Sequence, residues 1–428
     1  MDLLFRDVTV VNMDAPVLKN VDVGVLGRKI CYLAKTGHGP EAVRVIDCKH
    51  KVLMPGLYNT HTHGAMTLFR GFAGDLSLED WLFNNIFPAE AKLTPELIRV
   101  GTSLAVAEMI ASGTIAFTDM YISMDAVAEV ADSAGVLANV SNAVIDFSKE
   151  GYVFKNDKIF AQTEKVLSNS TDGRIKADVS IHGVYTSLPY IWEQVMDYTL
   201  EKNLNMHVHL SETKTEHENC IKQFGLTPTQ VFDKYGVFDV PSTAAHCVWV
   251  TDEDIEILKK KNVTVAHNPL SNLKLASGLA PVAKMLEKGL NVSIGTDGMS
   301  SNNSHDMFEE LKMASLLQKY ATGDPTTLPA LQALKMATVN GAKAQGRSHE
   351  SGQIKEGFDA DIILIDQNNP RQTMCYCPIS NLAYSSSGRD VEMTVCRGKV
   401  LYEKGEFKTI DIEKTLHDAR KAKEIFLS

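Results

Sequence analysis

The stretch Pro55-Gly56-Leu57-Tyr58-Asn59-Thr60-His61-Thr62-His63 closes an apolar run with two histidines one residue apart. In an extended strand, side chains alternate faces with a period of two, so His61 and His63 point the same way and can reach one ion. A chain with 13 histidines also produces such a pair by chance, as a solvated strand end or as hydrogen-bonded core residues. The rest of the chain has to decide.

Working outward from Pro55, the texture changes. Before it, from Leu3 to about Val52, short β-branched runs alternate with polar turns, the pattern of a small sheet. After it, apolar strands alternate with longer helical patterns, such as "TPELIRVGTSLAVAEMIASG" followed by "TIAFTDMY". That alternation predicts βα units on a parallel sheet. Eight strands are expected, at "LMPGLYNTHTH", "TIAFTDM", "LANVSNAVID", "ADVSIHGV", "NMHVHLSE", "STAAHCVWV", "NVTVAHNP" and "NVSIGTDG". Eight is the number that closes a (β/α)8 TIM barrel. Near Gly352 the hairpin texture returns. The expected organisation is therefore an α/β barrel over residues 55–351, a small β-sandwich built by both chain ends over 1–54 and 352–410, and a C-terminal helix over 411–428.

Bulk properties narrow the function classes. The 428 residues suit one large barrel with an accessory piece, and 44% hydrophobic with 22% charged residues is ordinary globular usage. A net charge of -10 with no Lys/Arg-rich block repels a phosphate backbone, so no nucleic-acid polymer is expected as a partner. Seven cysteines, an odd number without C-x-x-C spacing, read as free thiols of a reducing compartment. The N-terminus "MDLLFRDVTVVNMDAP" has acids inside its apolar stretch and no basic n-region, and no apolar run reaches the roughly 18 residues of a membrane span. A cytoplasmic protein with no membrane partner is expected.

In a barrel, functional residues sit at the C-terminal ends of the strands. Four expected strand ends carry candidate ligands or bases: His61 and His63; His207 and His209, with Glu212 three residues on; His246; and Asp297. Each alone has a bland reading as a core histidine or a turn aspartate. Four together are harder to dismiss. Three histidines and a carboxylate around an open position make a catalytic metal site, whereas a structural one would draw on the cysteines.

The segments "PGLYNTHTHGAMTLFRG", H-x-x-E at His209 and Glu212, "AAHC", "HNPLSNLKLASG" and "GTDGMSSNN" occur in that order on the expected strands. Together they resemble the amidohydrolase superfamily, and more narrowly its 5-methylthioadenosine/S-adenosylhomocysteine deaminases of the ATZ/TRZ-like subgroup, over essentially the whole chain. The resemblance implies one metal per subunit on His61, His63, His209 and Asp297, zinc first, with Fe2+ or Mn2+ as alternatives. No lysine ends the fourth strand to form the bridging carbamate of two-metal relatives. His207 is left beside the site or in the core. A metal of that kind activates water at neutral pH. Asp297 would orient that water and take its proton, His246 would hydrogen-bond it, and Glu212 would protonate the purine ring.

Glu90 in "FPAE" and His182 in "SIHGV" match substrate-binding positions, alongside Glu212 and Asp297. The implied substrate is a small adenosine-type nucleoside, and a homo-oligomer is open. The H-x-E and P-C-x-x-C pattern of the other deaminase class is absent. Guanine, pterin or chlorotriazine hydrolysis at the same site is the competing enzyme reading, and a non-catalytic scaffold the competing class. One departure stands out. Members that handle S-adenosylhomocysteine well can pair its carboxylate with an arginine around the third strand, and no arginine occurs between Arg99 and Arg174. A preference for neutral 5' groups is therefore expected.

Overall fold

The computed structural model describes residues 1–37, 39–76 and 80–427. Five strands open the chain: β1 (Leu3–Val10), β2 (Leu18–Leu26), β3 (Lys29–Lys35), β4 (Arg44–Asp47) and β5 (Lys51–Pro55). Ten short strands follow: β6 (Leu57–Thr62), β7 (Thr114–Met120), β8 (Leu137–Ser141), β9 (Ala143–Val144), β10 (Ile175–Ala177), β11 (Val179–Ile181), β12 (Met206–Leu210), β13 (Ser242–His246), β14 (Thr264–His267) and β15 (Asn291–Ile294). The last four are β16 (Ile362–Asp366), β17 (Val391–Cys396), β18 (Lys399–Glu403) and β19 (Glu406–Phe407).

Both chain ends enter one sheet. Among the described residues its order is β19-β18-β17-β16-β5-β1-β2-β3, with β4 on β1. The seam is the antiparallel pair of β16 and β5, in which Leu364 faces Leu53. Phe5, Val23, Leu53, Leu364 and Met393 pack into a hydrophobic cluster of its own. The expected single strand "LMPGLYNTHTH" is cut at Gly56. Pro55 ends β5 in this sheet, and Leu57 begins β6 in the next layer. Any Cβ at Gly56 would fall inside the Ile115 side chain, so only glycine lets the chain pass from one sheet to the other here.

The middle of the chain forms two parallel sheets, β10-β8-β7-β6 and β15-β14-β13-β12-β11-β9. The parallel α/β organisation predicted from the alternating texture is present. The third and fourth expected strands are each interrupted, at Asn142 and Asp178. The buried Asp178 carboxylate, between β10 and β11, accepts from Asn139 Nδ2 and Asn205 Nδ2. β8 then pairs with β10, and β9 with β11, so the pairing steps without being lost. The last strand returns to the first through side chains. Thr60 Oγ1 donates to Ile294 O at 2.9 Å, and Asn59 Nδ2 to Thr296 Oγ1 at 2.7 Å.

Helices cover these strands. Pro95–Ala111 starts at Thr94, whose hydroxyl accepts the Leu97 amide, and it buries Leu97, Ile98, Ala105 and Ile110. Each leucine or isoleucine side chain contributes about 1.5–3 kcal/mol when fully buried. The expected C-terminal helix forms over Ile412–Leu427, with Asp411 Oδ1 accepting the Lys414 amide, and Phe426 stacks edge-on against Phe69 at 5.0 Å. Ser428, the last residue of that expected helix, lies outside the described residues. No helix among the described residues is long and apolar enough to cross a membrane.

Candidate active site

The strand ends bring the expected residues together. His61 is the next-to-last residue of β6 and His63 lies just past it, His207 and His209 are on β12, His246 ends β13, and Asp297 follows β15 by three residues. His63 Nδ1 faces the Met120 carbonyl at 2.6 Å, and His209 Nδ1 faces the His182 carbonyl at 2.8 Å. A carbonyl only accepts, so both Nδ1 atoms carry the proton and both Nε2 atoms turn toward the site. His61 Nδ1 lies 2.9 Å from His207 Nε2, while its own Nε2 is buried with no hydrogen-bond partner. His207 therefore sits behind the cluster, holding the His61 ring.

The atoms left over converge. His63 Nε2 is 3.3 Å from His209 Nε2 and 3.2 Å from Asp297 Oδ1, and His61 Nε2 is 3.4 Å from the same oxygen. Four ligands at about 2.0–2.1 Å around a tetrahedral zinc are about 3.3–3.4 Å apart along each edge. The residues present fit such an ion. The Asp297 carboxylate is fixed in orientation, since Ser271 Oγ and Ser301 Oγ both donate to Oδ2, at 2.6 and 3.0 Å, leaving Oδ1 to the histidines. Its backbone adopts φ +63° and its amide donates to His61 O at 2.9 Å, tying the loop to β6. His246 also comes close, since its ring and those of His61 and His209 place one nitrogen each within 4.8 Å of one another. Its Nδ1 is engaged by Asn272 Oδ1 at 2.8 Å, and its Nε2 lies 3.8 Å from Glu212 Oε2.

Above this floor lies an open pocket. Its polar side is His63, His209, His246, Glu212 and Asp297, with Glu90 and His182 at the flanks. Trp81, Ile86, Phe87, Ile122 and Ile145 make an apolar wall. No lysine or arginine lines it among the described residues. The undescribed stretch near Trp81, Ser77-Leu78-Glu79, holds no cationic residue either. Every expected site residue is in this pocket or, for His61, directly behind it.

Residues 52–401 match the amidohydrolase family. The chain belongs to the amidohydrolase family. It is 45% identical over 422 residues, 98% of each chain, to the 5-methylthioadenosine/S-adenosylhomocysteine deaminase of Dictyoglomus thermophilum. It is 43% identical over 425 residues, 99% of this chain and 98% of the other, to the 5'-deoxyadenosine deaminase of Methanosarcina acetivorans. Among solved structures, an adenosine deaminase from Xanthomonas campestris with bound zinc superposes with a TM-score of 0.95 at 32% identity, covering 99% of this chain and 98% of that one.

In this amidohydrolase the electrostatics sort the groups by task. Burial lowers His61 to about 4, and it would lower His63 too, but the hydrogen bond and charge of Asp297 hold His63 at about 9. Burial would raise Asp297, and the adjacent His61, His63 and His246 rings keep it well below the usual carboxylate range. The cluster attracts positive charge to one point, which a proton or a cation can supply. Glu212 differs. Burial pushes its carboxyl up against the nearby His246, with Ser277 Oγ donating to Oε1 at 3.4 Å, so it is suited to carrying a proton. Burial raises Glu90 as well, although the Tyr121 hydroxyl donates to it at 2.6 Å. Burial and the neighbouring histidines push His182 down to about 3, leaving a neutral ring with a buried, unpartnered Nδ1.

The sequence reading missed the groups that hold these side chains. Ser271 and Asn272 lie in "HNPLSNLKLASG" and Ser301 in "GTDGMSSNN". Those segments were visible as motifs, but only the three-dimensional contacts say which hydroxyl reaches Asp297. Tyr121, one residue past β7, had no signal at all.

Proposed function

We propose that the protein is a metal-dependent hydrolytic deaminase of adenosine-type nucleosides, namely 5-methylthioadenosine, S-adenosylhomocysteine, 5'-deoxyadenosine or adenosine, giving the inosine analogue and ammonia. The observation that carries this reading is a pair of candidate ligand groups sharing His61, namely His61, His63 and Asp297, and His61, His209 and His246, with His209 Nε2 3.3 Å from His63 Nε2 and Glu212 beside them in a pocket walled by apolar side chains. His61, His63, His209 and Asp297 would hold one zinc, with Fe2+ or Mn2+ as alternatives for the same donor set. Once bound, the ion supplies the Lewis acidity that makes water nucleophilic at neutral pH.

The chain's own residues do the rest. Asp297 orients the attacking water and accepts its proton, while His246 hydrogen-bonds the oxygen from the other side. As that oxygen adds to C6, Glu212 delivers a proton to ring nitrogen N1. A proton then passes to the amino group, the C6–N bond breaks, ammonia leaves, and the oxygen stays on C6. Such acid–base assistance is worth about 10²–10⁴-fold. Glu90 can take the ribose diol through charge-assisted hydrogen bonds, and His182 contacts the nucleoside from the opposite flank.

In this reading the parallel strands close as a (β/α)8 barrel over residues 55–351, and residues 1–54 and 352–410 fold as a β-sandwich, with residues 411–428 as an appended helix. The free cysteines agree with a cytoplasmic setting. The absence of a lysine or arginine from the pocket lining among the described residues supports a substrate whose 5' group is neutral.

Ammonia release across a panel of 5'-modified adenosines, guanine and a chlorotriazine, with and without a chelator, tests the proposal. Chelator-sensitive turnover of the adenosines is expected. Turnover of guanine or the triazine in their place would overturn it.

A further inference from the structure

Glu216 lies outside the pocket, yet it is buried and has no ion-pair partner among the described residues. A carboxylate is costly to bury without a cation, so its hydrogen bonds have to account for it. The sequence Thr213-Lys214-Thr215-Glu216 suggests an ordinary capping box, in which the glutamate would reach back to the amide of the capping threonine. Half of that box forms, since Thr213 Oγ1 accepts the Glu216 amide at 3.1 Å to open the helix Lys214–Phe224. The other half is redirected. Glu216 Oε2 accepts the Glu212 amide at 2.7 Å, and Oε1 accepts the Ser211 amide at 3.1 Å, both beyond the cap residue.

The two amides clamped in this way belong to a strained turn. Ser211 has φ +47°, a conformation that a non-glycine residue holds only where its surroundings fix it. Its carbonyl in turn accepts the amides of Val248 and Trp249, at 3.1 and 2.9 Å, which follow His246. The turn thus sets where the Glu212 side chain leaves the backbone relative to His246. We infer that Glu216 is a positioning residue, whose carboxylate clamps the backbone at Ser211 and Glu212 so that the Glu212 carboxyl faces the substrate ring. The inference rests on the reading of Glu212 as the proton carrier.

A double-mutant cycle tests it, using zinc-loaded full-length protein and 5-methylthioadenosine. Glu216→Gln keeps the size of the side chain but turns an NH2 toward one of the two amides. It should lower kcat about 10- to 150-fold, the worth of a charged hydrogen bond, with KM and zinc content unchanged. In a Glu212→Gln background, the same substitution should change the residual kcat by less than about threefold, because the group it positions is already disabled. Where the amide variant does not fold, Glu216→Asp, which keeps the charge but is too short to reach both amides, replaces it in the same cycle. A merely structural role would depress both backgrounds equally, and that result, or an unchanged kcat in the wild-type background, would overturn this inference alone. Wild-type turnover by Glu212→Gln itself would overturn the reading of Glu212, and the inference with it.

Discussion

At the floor of the pocket, His61, His207 and His246 are no more than 1% exposed, and each is fixed by a named partner or faces the cluster centre. At its mouth, Ile145 is 41% and Tyr185 38% exposed, and the wall they belong to is apolar. The floor is defined by direction, since each nitrogen or oxygen has one position from which it can serve an ion. The mouth is defined by area, which many side chains supply equally well. In the proposed reading, chemistry is set at the floor and substrate choice at the mouth. Perturbing the first should abolish turnover, while perturbing the second should grade it.

The sharpest break of that contrast is at the ligands. His61→Ala or Asp297→Ala should remove both zinc and turnover, measured as metal content and ammonia release, because an open site has no ligand to spare. Near-normal activity in either variant would dissolve the floor as described. Glu212→Gln comes next. It should keep fold and metal but lose about 10²–10⁴-fold in kcat, since the amide has no carboxyl proton to give to the ring. Retained activity would move the proton donor elsewhere, with His246 the next suspect.

At the mouth the effects shrink. With no lysine or arginine in the lining, kcat/KM for methylthioadenosine should exceed that for S-adenosylhomocysteine by about 10- to 150-fold, the worth of one missing charged hydrogen bond. Equal values would point to a cation outside the lining, such as Lys149, Lys155 or Arg70, or to one from another subunit. The smallest change expected is for Tyr121→Phe, which removes the hydroxyl that holds Glu90. It should cost about 2- to 12-fold in kcat/KM, and the cost should vanish for a nucleoside lacking the ribose 2',3'-diol. A loss of the same size for that nucleoside would separate Tyr121 from ribose binding.

The same contrast explains what could be read in advance. The H-x-H pair, His207 with His209, His246 and Asp297 were legible as candidates because metal ligation restricts residue type and strand ends restrict position, while the choice of His209 over His207 came only from the family resemblance. The parallel layout was legible from apolar runs alternating with helical patterns. The cut at Gly56 was not, since it depends on Ile115, nearly 60 residues away. Neither were the breaks at Asn142 and at Asp178, whose buried carboxylate accepts from Asn139 and Asn205. Ser271, Ser301, Tyr121 and Glu216 act through contacts that no motif or spacing announces.

The central claim is that one ion on His61, His63, His209 and Asp297 makes deamination possible. Its most direct test is ammonia release from methylthioadenosine by chelator-stripped protein as zinc is returned. Activity should start near zero, rise linearly and level off at one zinc per chain. Full turnover by the stripped protein, or a plateau only at two, would contradict the account.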